Sequence, residues 1–357
     1  MAFIPPLQNV PSKNPQAFWR KPKLNTSPPK GAGMTDNRFA RAWILRNLYK
    51  EQIKLLFKKG MSFSNILRYQ FPLLMPVASL PPGLHIEFTN ICNLACVYCN
   101  TTMNLRSKGF IEEDTFVRIL QEIQKNTIRR IYVVGNGEPT IHPAFCDYIE
   151  RLSKATSILS LTTNLQNINK EKALSIVKSV DLLNVSLDGI NSNTYEQNRV
   201  NGNFTKLINN FRLLRAIKKE SNSNMIINAR VMIHPSDEKN LKNIRSFWKQ
   251  FADIVSLQFV VDFTGKGGDV YSLQKSPDKY PTCSLLFKQL NILWNGNVPL
   301  CTYYYLQADN PDDFILGNIK DIGIKELWTA PLIQHYRRAH IKRDHESMPL
   351  CAGCGGC

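Results

Sequence analysis

The sequence predicts an α/β fold, a parallel sheet with helices outside it, followed by a tail of different rhythm. Two observations carry this expectation. From Leu84 onward, short apolar and β-branched runs alternate with stretches whose apolar residues recur at helical spacing. Parallel strands need long crossover connections, and such an alternation supplies them. Past residue 282 the alternation gives way to a turn signal between two apolar runs, set among clustered cysteines. At 357 residues with a 43% apolar fraction, the chain can bury a large core as one big domain with extensions or as two domains.

Strands are expected near 84–89, 128–134, 157–162, 182–187, 225–233 and 254–261, and helices near 111–125, 143–154, 169–178, 203–219 and 239–250. Glu113 or Asp114 at the first helix, and Asn169 at the third, are candidate caps. An open doubly wound sheet fits six such units. Functional residues then belong at the carboxyl ends of the strands.

Ahead of the sheet, residues 1–35 carry seven prolines and little periodicity, which reads as a basic, disordered leader. Residues 36–80 form a second segment. Within it Leu45, Leu48, Tyr49, Ile53 and Leu56 share a helical face, and Arg46, Lys50, Lys54 and Lys58 form a basic stripe. That stripe is either a solvated face or a dock for an acidic partner. Residues 1–80 hold 13 of the 45 Lys/Arg and two acids, so most of the net charge of +17 lies there. Charge alone gives solubility or nonspecific attraction, and no nucleic-acid partner is expected. The apolar stretch from Phe71 to Leu84 is broken by four prolines, so no membrane span is expected. Nine cysteines at metal-like spacings, with no cleavable signal peptide visible, favour a reducing cytoplasm over a disulfide framework. Repeats and low-complexity tracts add nothing.

Three of these cysteines, Cys92, Cys96 and Cys99, follow the first strand in a C-x3-C-x2-C loop with Tyr98 before the last. Thiolates are soft ligands, and a cysteine-held cluster normally takes four. Three leave one iron of a 4Fe–4S cluster open. Structural zinc sites use four ligands built from C-x2-C pairs, which the x3 gap fits poorly. The loop resembles the cluster motif of the radical SAM superfamily. That resemblance implies a partial (β/α)6 barrel in place of the doubly wound sheet, with S-adenosylmethionine (SAM) on the open iron.

Later strand ends extend the resemblance. Gly135-Asn136-Gly137-Glu138-Pro139 is similar to the family's Gly-Gly-Glu-Pro motif, whose backbone and Glu receive the SAM amino group. Glycine allows close backbone approach, and a carboxylate suits an ammonium. The same resemblance implies SAM contacts for Thr163, Asn164, Ser186, Asp188 and Arg199. Asp188 alternatively caps the next helix, and Arg199 alternatively lies on the surface. Cys146, alone in a helix, reads as a small core residue or a hydrogen donor.

The tail supplies Cys283, Cys301, Cys351, Cys354 and Cys357. Asn295-Gly296 reads as a type I′ hairpin turn between Leu290 and Tyr303. These residues, with Leu316–Ile319, Ile324–Trp328 and the closing C-x2-C pair, resemble the α+β SPASM/twitch extension of radical SAM enzymes. Because the chain stops at Cys357, the shorter twitch type with one auxiliary 4Fe–4S cluster is expected. Its ligands are expected to be Cys283, Cys301, Cys351 and Cys354, with Cys357 a substitute or free. A structural zinc is the alternative. Sulfatase-maturing relatives place an Asp after the second twitch cysteine; Thr302 stands here, against that activity. Tyr303, Tyr304 and Tyr305 line a pocket or pack as a strand.

Four segments are therefore expected: 1–35, 36–80, a barrel over 81–265 and a cluster domain over 266–357. The resemblance implies reductive cleavage of SAM to methionine and a 5′-deoxyadenosyl radical that abstracts a substrate hydrogen. A second cluster suits electron acceptance, so oxidation of a sugar or cyclitol is the leading expectation for this oxidoreductase. Crosslinking or epimerisation of a ribosomal peptide is the alternative. A non-catalytic iron–sulfur sensor is the third reading. A flavodoxin or ferredoxin is the expected electron donor.

Overall fold

Seven strands, every neighbouring pair parallel, form the main sheet of the described residues. The computed structural model describes residues 77–99, 106–259, 282–301, 311–344 and 346–351. The leader and most of the basic helical segment lie outside the described residues, as do Thr302, Tyr303, Tyr304, Tyr305, Cys354 and Cys357.

In chain order the strands are β1 (Leu84–Ile86), β2 (Ala95–Cys96), β3 (Arg130–Val133), β4 (Ile158–Thr163), β5 (Leu182–Asp188), β6 (Arg199–Val200), β7 (Ile226–Ile233), β8 (Ile254–Phe259), β9 (Leu290–Ile292), β10 (Asn297–Pro299) and β11 (Ile315–Asn318). The helices are α1 (Glu113–Asn126), α2 (Phe145–Ala155), α3 (Lys170–Ser179), α4 (Ser192–Asn198), α5 (Phe204–Glu220), α6 (Leu241–Trp248), α7 (Leu285–Lys288), α8 (Ile324–Trp328) and α9 (Pro331–Lys342). The order in the sheet is β8-β7-β5-β4-β3-β1-β9, so the six expected units lie side by side without the reversal of order that a doubly wound sheet shows. The two edge strands, β8 and β9, do not pair with each other, so the barrel is partial.

Side chains alternate between faces of a strand. On one face Ile131, Val133, Leu159, Leu161, Leu183, Val185, Ile227 and Ala229 are fully buried in a core shared with Phe116, Ile149, Phe211 and Trp248 of the helices. Full burial of each Val, Leu, Ile or Phe among them contributes roughly 1.5–3 kcal/mol. The opposite face is polar: Asn228 donates to Asn184 at 2.9 Å and Ser256 donates to Asn228 at 2.7 Å.

Asn169 caps α3 as expected, accepting the Lys172 N–H at 2.8 Å. Glu113 and Asp114 do not cap α1. The cap position is Glu112, and both acids sit in the first turn, where they favour the helix dipole. Nor does Asp188 cap α4, since Asn191 does so through the Thr194 N–H.

The expected hairpin differs most. β9 leaves the turn to pair with β1 as the seventh strand, while β10 pairs antiparallel with β11. At the turn, Gly296 donates to the Leu293 carbonyl and Leu293 to the Asn297 carbonyl, both at 2.9 Å. Gly296 has φ +86°, whereas Asn295 does not adopt positive φ. A type I turn with glycine in the left-handed position matches this; type I′ needs positive φ at both central residues.

The tail docks on α1 through Glu122. This carboxylate is 1% exposed, accepts the Ile324 N–H at 2.9 Å and pairs with Arg118 at 3.1 Å.

Candidate functional site

The cysteine loop is anchored at the carboxyl end of the sheet by a two-residue ladder. β2 pairs with β6, setting Cys96 opposite Arg199, and the Val97 N–H donates to the Asn198 carbonyl at 3.0 Å. Cys92, Cys96 and Cys99 line one pocket with Tyr98, Gly135, Gly137, Glu138, Thr163, Asn164, Ser186 and Arg199. Leu94, Val134, Asn136, Thr162 and Met232 complete the wall. Of the expected cofactor residues, Pro139 and Asp188 lie behind this wall. Pro139 starts a buried 3-10 turn, and Asp188 is fully buried.

Two thiols have donors aimed at them. The Leu94 N–H lies 3.4 Å and Asn164 Nδ2 3.8 Å from Cys92 Sγ, and an Arg199 nitrogen lies 3.9 Å from Cys96 Sγ. Burial pushes the Cys92 thiol up to about 11 and the Cys96 thiol up to about 12. A soft metal can replace the proton, and the donors then stabilise the thiolate.

Arg199 is not a surface residue. It is 5% exposed, and its Nε–H donates to Asp188 Oδ2. The Tyr98 hydroxyl donates to the same oxygen at 2.7 Å, so that hydroxyl is directed at Asp188. His234 Nε2 lies 2.9 Å from Asp188 Oδ1, and because a carboxylate only accepts, Nε2 carries the proton. One carboxylate thus joins the ends of β5 and β7, the cysteine loop and β6. Sequence reasoning missed His234; its signal is a polar residue immediately after the expected strand 225–233, at a carboxyl end.

Glu138 is 2% exposed, with four donors on its carboxylate. Thr140 supplies its N–H at 3.1 Å and its hydroxyl at 2.7 Å, Thr163 its hydroxyl at 2.7 Å, and Asn164 its N–H at 2.7 Å. Burial pushes the carboxyl up and these hydrogen bonds hold it down. Gly137 lets the chain pass closely: a Cβ there would stand 2.3 Å from the Thr89 carbonyl oxygen and 2.4 Å from that of Ile91. A second buried carboxylate, Glu87, was also missed. It takes both Arg106 terminal nitrogens, at 2.9 and 3.1 Å, and the Asn136 N–H at 2.9 Å.

Cys146 sits apart on α2, half-buried, where Ser175 of α3 bonds its carbonyl. It packs between helices and does not line the pocket.

In the tail, α9 faces Cys283, Cys301 and Cys351. His340 Nε2 lies 3.6 Å from Cys351 Sγ, and its Nδ1 accepts the Cys283 N–H at 3.5 Å. Burial pushes the Tyr336 phenol up, and the Cys351 and Cys301 thiols push it the same way. Among the described residues, no three of His, Cys, Asp and Glu are gathered around the place of a single ion. A 4Fe–4S cube puts each cysteine on its own iron, which spreads the thiols wider than one zinc does.

Comparison with known proteins fits this geometry. Residues 86–243 match the model of the radical SAM superfamily, and residues 283–355 match SPASM, an iron–sulfur cluster-binding domain. The chain belongs to the radical SAM superfamily.

The cofactor-modifying protein of the tungsten-containing aldehyde ferredoxin oxidoreductase from Pyrococcus furiosus is 24% identical over 269 residues, covering 73% of each chain. The mycofactocin maturase MftC of Mycolicibacterium smegmatis is 24% identical over 311 residues, covering 77% of this chain and 76% of the maturase. The fold is shared with Streptococcus suis SuiB bound to its precursor peptide SuiA. The TM-score is 0.60 at 16% identity, over 94% of this chain and 80% of SuiB. This radical SAM protein carries a SPASM-type tail and binds 4Fe–4S clusters and SAM. Its three thiols, two of them with aimed donors, and a loop whose Gly135 and Gly137 pass without Cβ atoms, fit those groups. No helix among the described residues is long and apolar enough to cross a membrane.

Proposed function

We propose that this radical SAM enzyme modifies a peptide, by crosslinking or epimerisation. The observation that carries the reading is the maturase relative, aligned over 77% of the chain. A protein of the same fold holding a precursor peptide adds support. Oxidation of a sugar or cyclitol, the leading expectation from sequence, has less: neither sequence relative carries such a substrate in its name.

Bound together, the cluster and SAM supply a carbon-centred radical that removes a hydrogen atom from the substrate. In this reading Cys92, Cys96 and Cys99 hold the cluster. Leu94, Asn164 and Arg199 hold negative charge on two of the sulfurs. Gly135 and Gly137 let the backbone approach the SAM ammonium. Glu138, with four donors already on it, orders that turn with Pro139 and adds charge nearby. Thr163, Asn164 and Ser186 meet the ribose and carboxylate. Tyr98 and Asp188 fix Arg199 from behind.

In the same reading Cys283, Cys301, Cys351 and Cys354 hold one auxiliary cluster, with Cys357 in reserve, and the barrel gives way to the tail at 265/266. A flavodoxin or ferredoxin supplies the electron.

The test is anaerobic turnover with SAM, reductant and peptides encoded beside the gene, read by mass spectrometry. Loss of two hydrogens, or solvent deuterium gained at one Cα, supports the reading. Substrate-dependent 5′-deoxyadenosine with a sugar or cyclitol panel, and none with peptides, overturns it. Iron analysis of the Cys92, Cys96 and Cys99→Ala protein tests the tail separately. About four irons against about eight in the parent support one tail cluster.

A further inference from the structure

We propose that His340 donates a hydrogen bond from Nε2 to the sulfur of Cys351 and thereby raises the reduction potential of the tail cluster. The inference rests on the tail-cluster reading above.

His340 lies on α9 and is 5% exposed. Its Nδ1 faces the Cys283 backbone N–H at 3.5 Å. A backbone N–H only donates, so Nδ1 is the acceptor. Neutral imidazole has one acceptor nitrogen and one N–H, so the proton sits on Nε2. Nε2 is the atom that meets Cys351 Sγ, at 3.6 Å.

The same distance separates a donor from a ligand. Each iron of a cube takes one protein ligand, so two ligands of one cube do not approach as closely as this nitrogen and sulfur do. A nitrogen and a sulfur this close, if both were ligands, would share one metal ion, as in a zinc site. The protonated Nε2 has no lone pair for a metal. It is instead a hydrogen-bond donor to a thiolate, and such donors stabilise the more negative, reduced state of a cluster. One buried ring therefore links the chain at Cys283 to the sulfur of Cys351. His340 is a positioning residue that acts through that sulfur.

The test uses the full-length Cys92, Cys96 and Cys99→Ala protein, in which an EPR-monitored redox titration sees the tail cluster alone. His340→Leu removes the donor at similar volume, and His340→Gln keeps an amide N–H. The expected result is a lower midpoint potential in the leucine variant and partial return in the glutamine variant, with iron and sulfide per chain unchanged. Equal midpoints in all three proteins overturn the inference and leave the tail cluster standing. Absence of iron from the triple variant overturns both. If the leucine variant holds no iron, pulsed EPR of the His340-containing protein decides. A weakly coupled exchangeable proton supports the donor, and a directly bound nitrogen or no such proton overturns it.

Discussion

Arg199 donates through Nε to the fully buried carboxylate of Asp188 while another of its nitrogens stands 3.9 Å from Cys96 Sγ. The charge beside a cluster-loop thiol is therefore held in place by a carboxylate that never reaches the pocket. Asp188→Asn leaves a buried guanidinium without its counter-charge and puts an amide N–H against donors from Tyr98 or His234. Breaking a buried pair on one side costs about 3–5 kcal/mol. The expected outcome is a fall in thermal stability of that order, with weaker cluster retention after gel filtration. A variant as stable as the parent, with full iron content, would show that solvent or relaxation replaces the pair.

Gly137 makes a second, steric prediction. The added methyl of Gly137→Ala would meet two backbone carbonyl oxygens, which cannot swing aside as a side-chain tip can. The loop or the segment from Thr89 to Ile91 must shift, at about 1–3 kcal/mol. SAM affinity, measured by equilibrium dialysis on reconstituted protein, is expected to fall about tenfold or more for a loss of that size. An unchanged dissociation constant would remove this loop from the SAM site.

Much of the barrel was legible because its signals are local. The apolar runs lie on one face of each strand, and Asn169 caps within three residues of itself. The cysteine spacing needs no tertiary information either. What was not legible depends on distant partners. β9 has the composition of a hairpin arm and the turn after it forms, yet its sheet partner is β1, some 200 residues earlier. Asp188 offered a local alternative, a helix cap; Asn191 takes that place, and Tyr98, Arg199 and His234, from three other segments, close on Asp188 instead. Glu87 looks out of place in an apolar run until Arg106 is seen to close on it. The expected auxiliary ligands are legible as spacing alone: α9 lies beside Cys283, Cys301 and Cys351, but no periodicity marks His340 as facing them.

Glu138 separates charge from scaffolding. Its four donors include the Asn164 N–H, so Glu138→Gln turns one acceptor oxygen into an NH2 group or moves the conflict to Thr140 and Thr163. A donor facing a donor in a buried site costs about 1–3 kcal/mol. Both stability and SAM affinity are expected to fall. Glu138→Asp keeps the charge but shortens the reach, so it should lose stability while keeping more SAM affinity than glutamine if the charge acts on the ammonium. Equal affinities for the two variants would assign Glu138 to scaffolding alone.

Glu122 tests how the tail is held. Its buried carboxylate accepts the first N–H of α8 and pairs with Arg118, whose own Nε donates to the Ile319 carbonyl at 3.1 Å. Glu122→Ala removes the acceptor, strands the Ile324 N–H and leaves Arg118 bound to the tail by one bond. The expected cost is about 3 kcal/mol, from a lost charge-assisted hydrogen bond and an unsatisfied buried donor. Because Glu122 lies on α1, away from the cysteine loop, the damage should appear first at the seam. Native-state hydrogen exchange is expected to speed up in α8 and β11 before it does in β4 or β5. Uniform acceleration across the sheet would mean that tail and barrel unfold as one cooperative unit, and that the β9 pairing with β1, more than the Glu122 contact, binds them together.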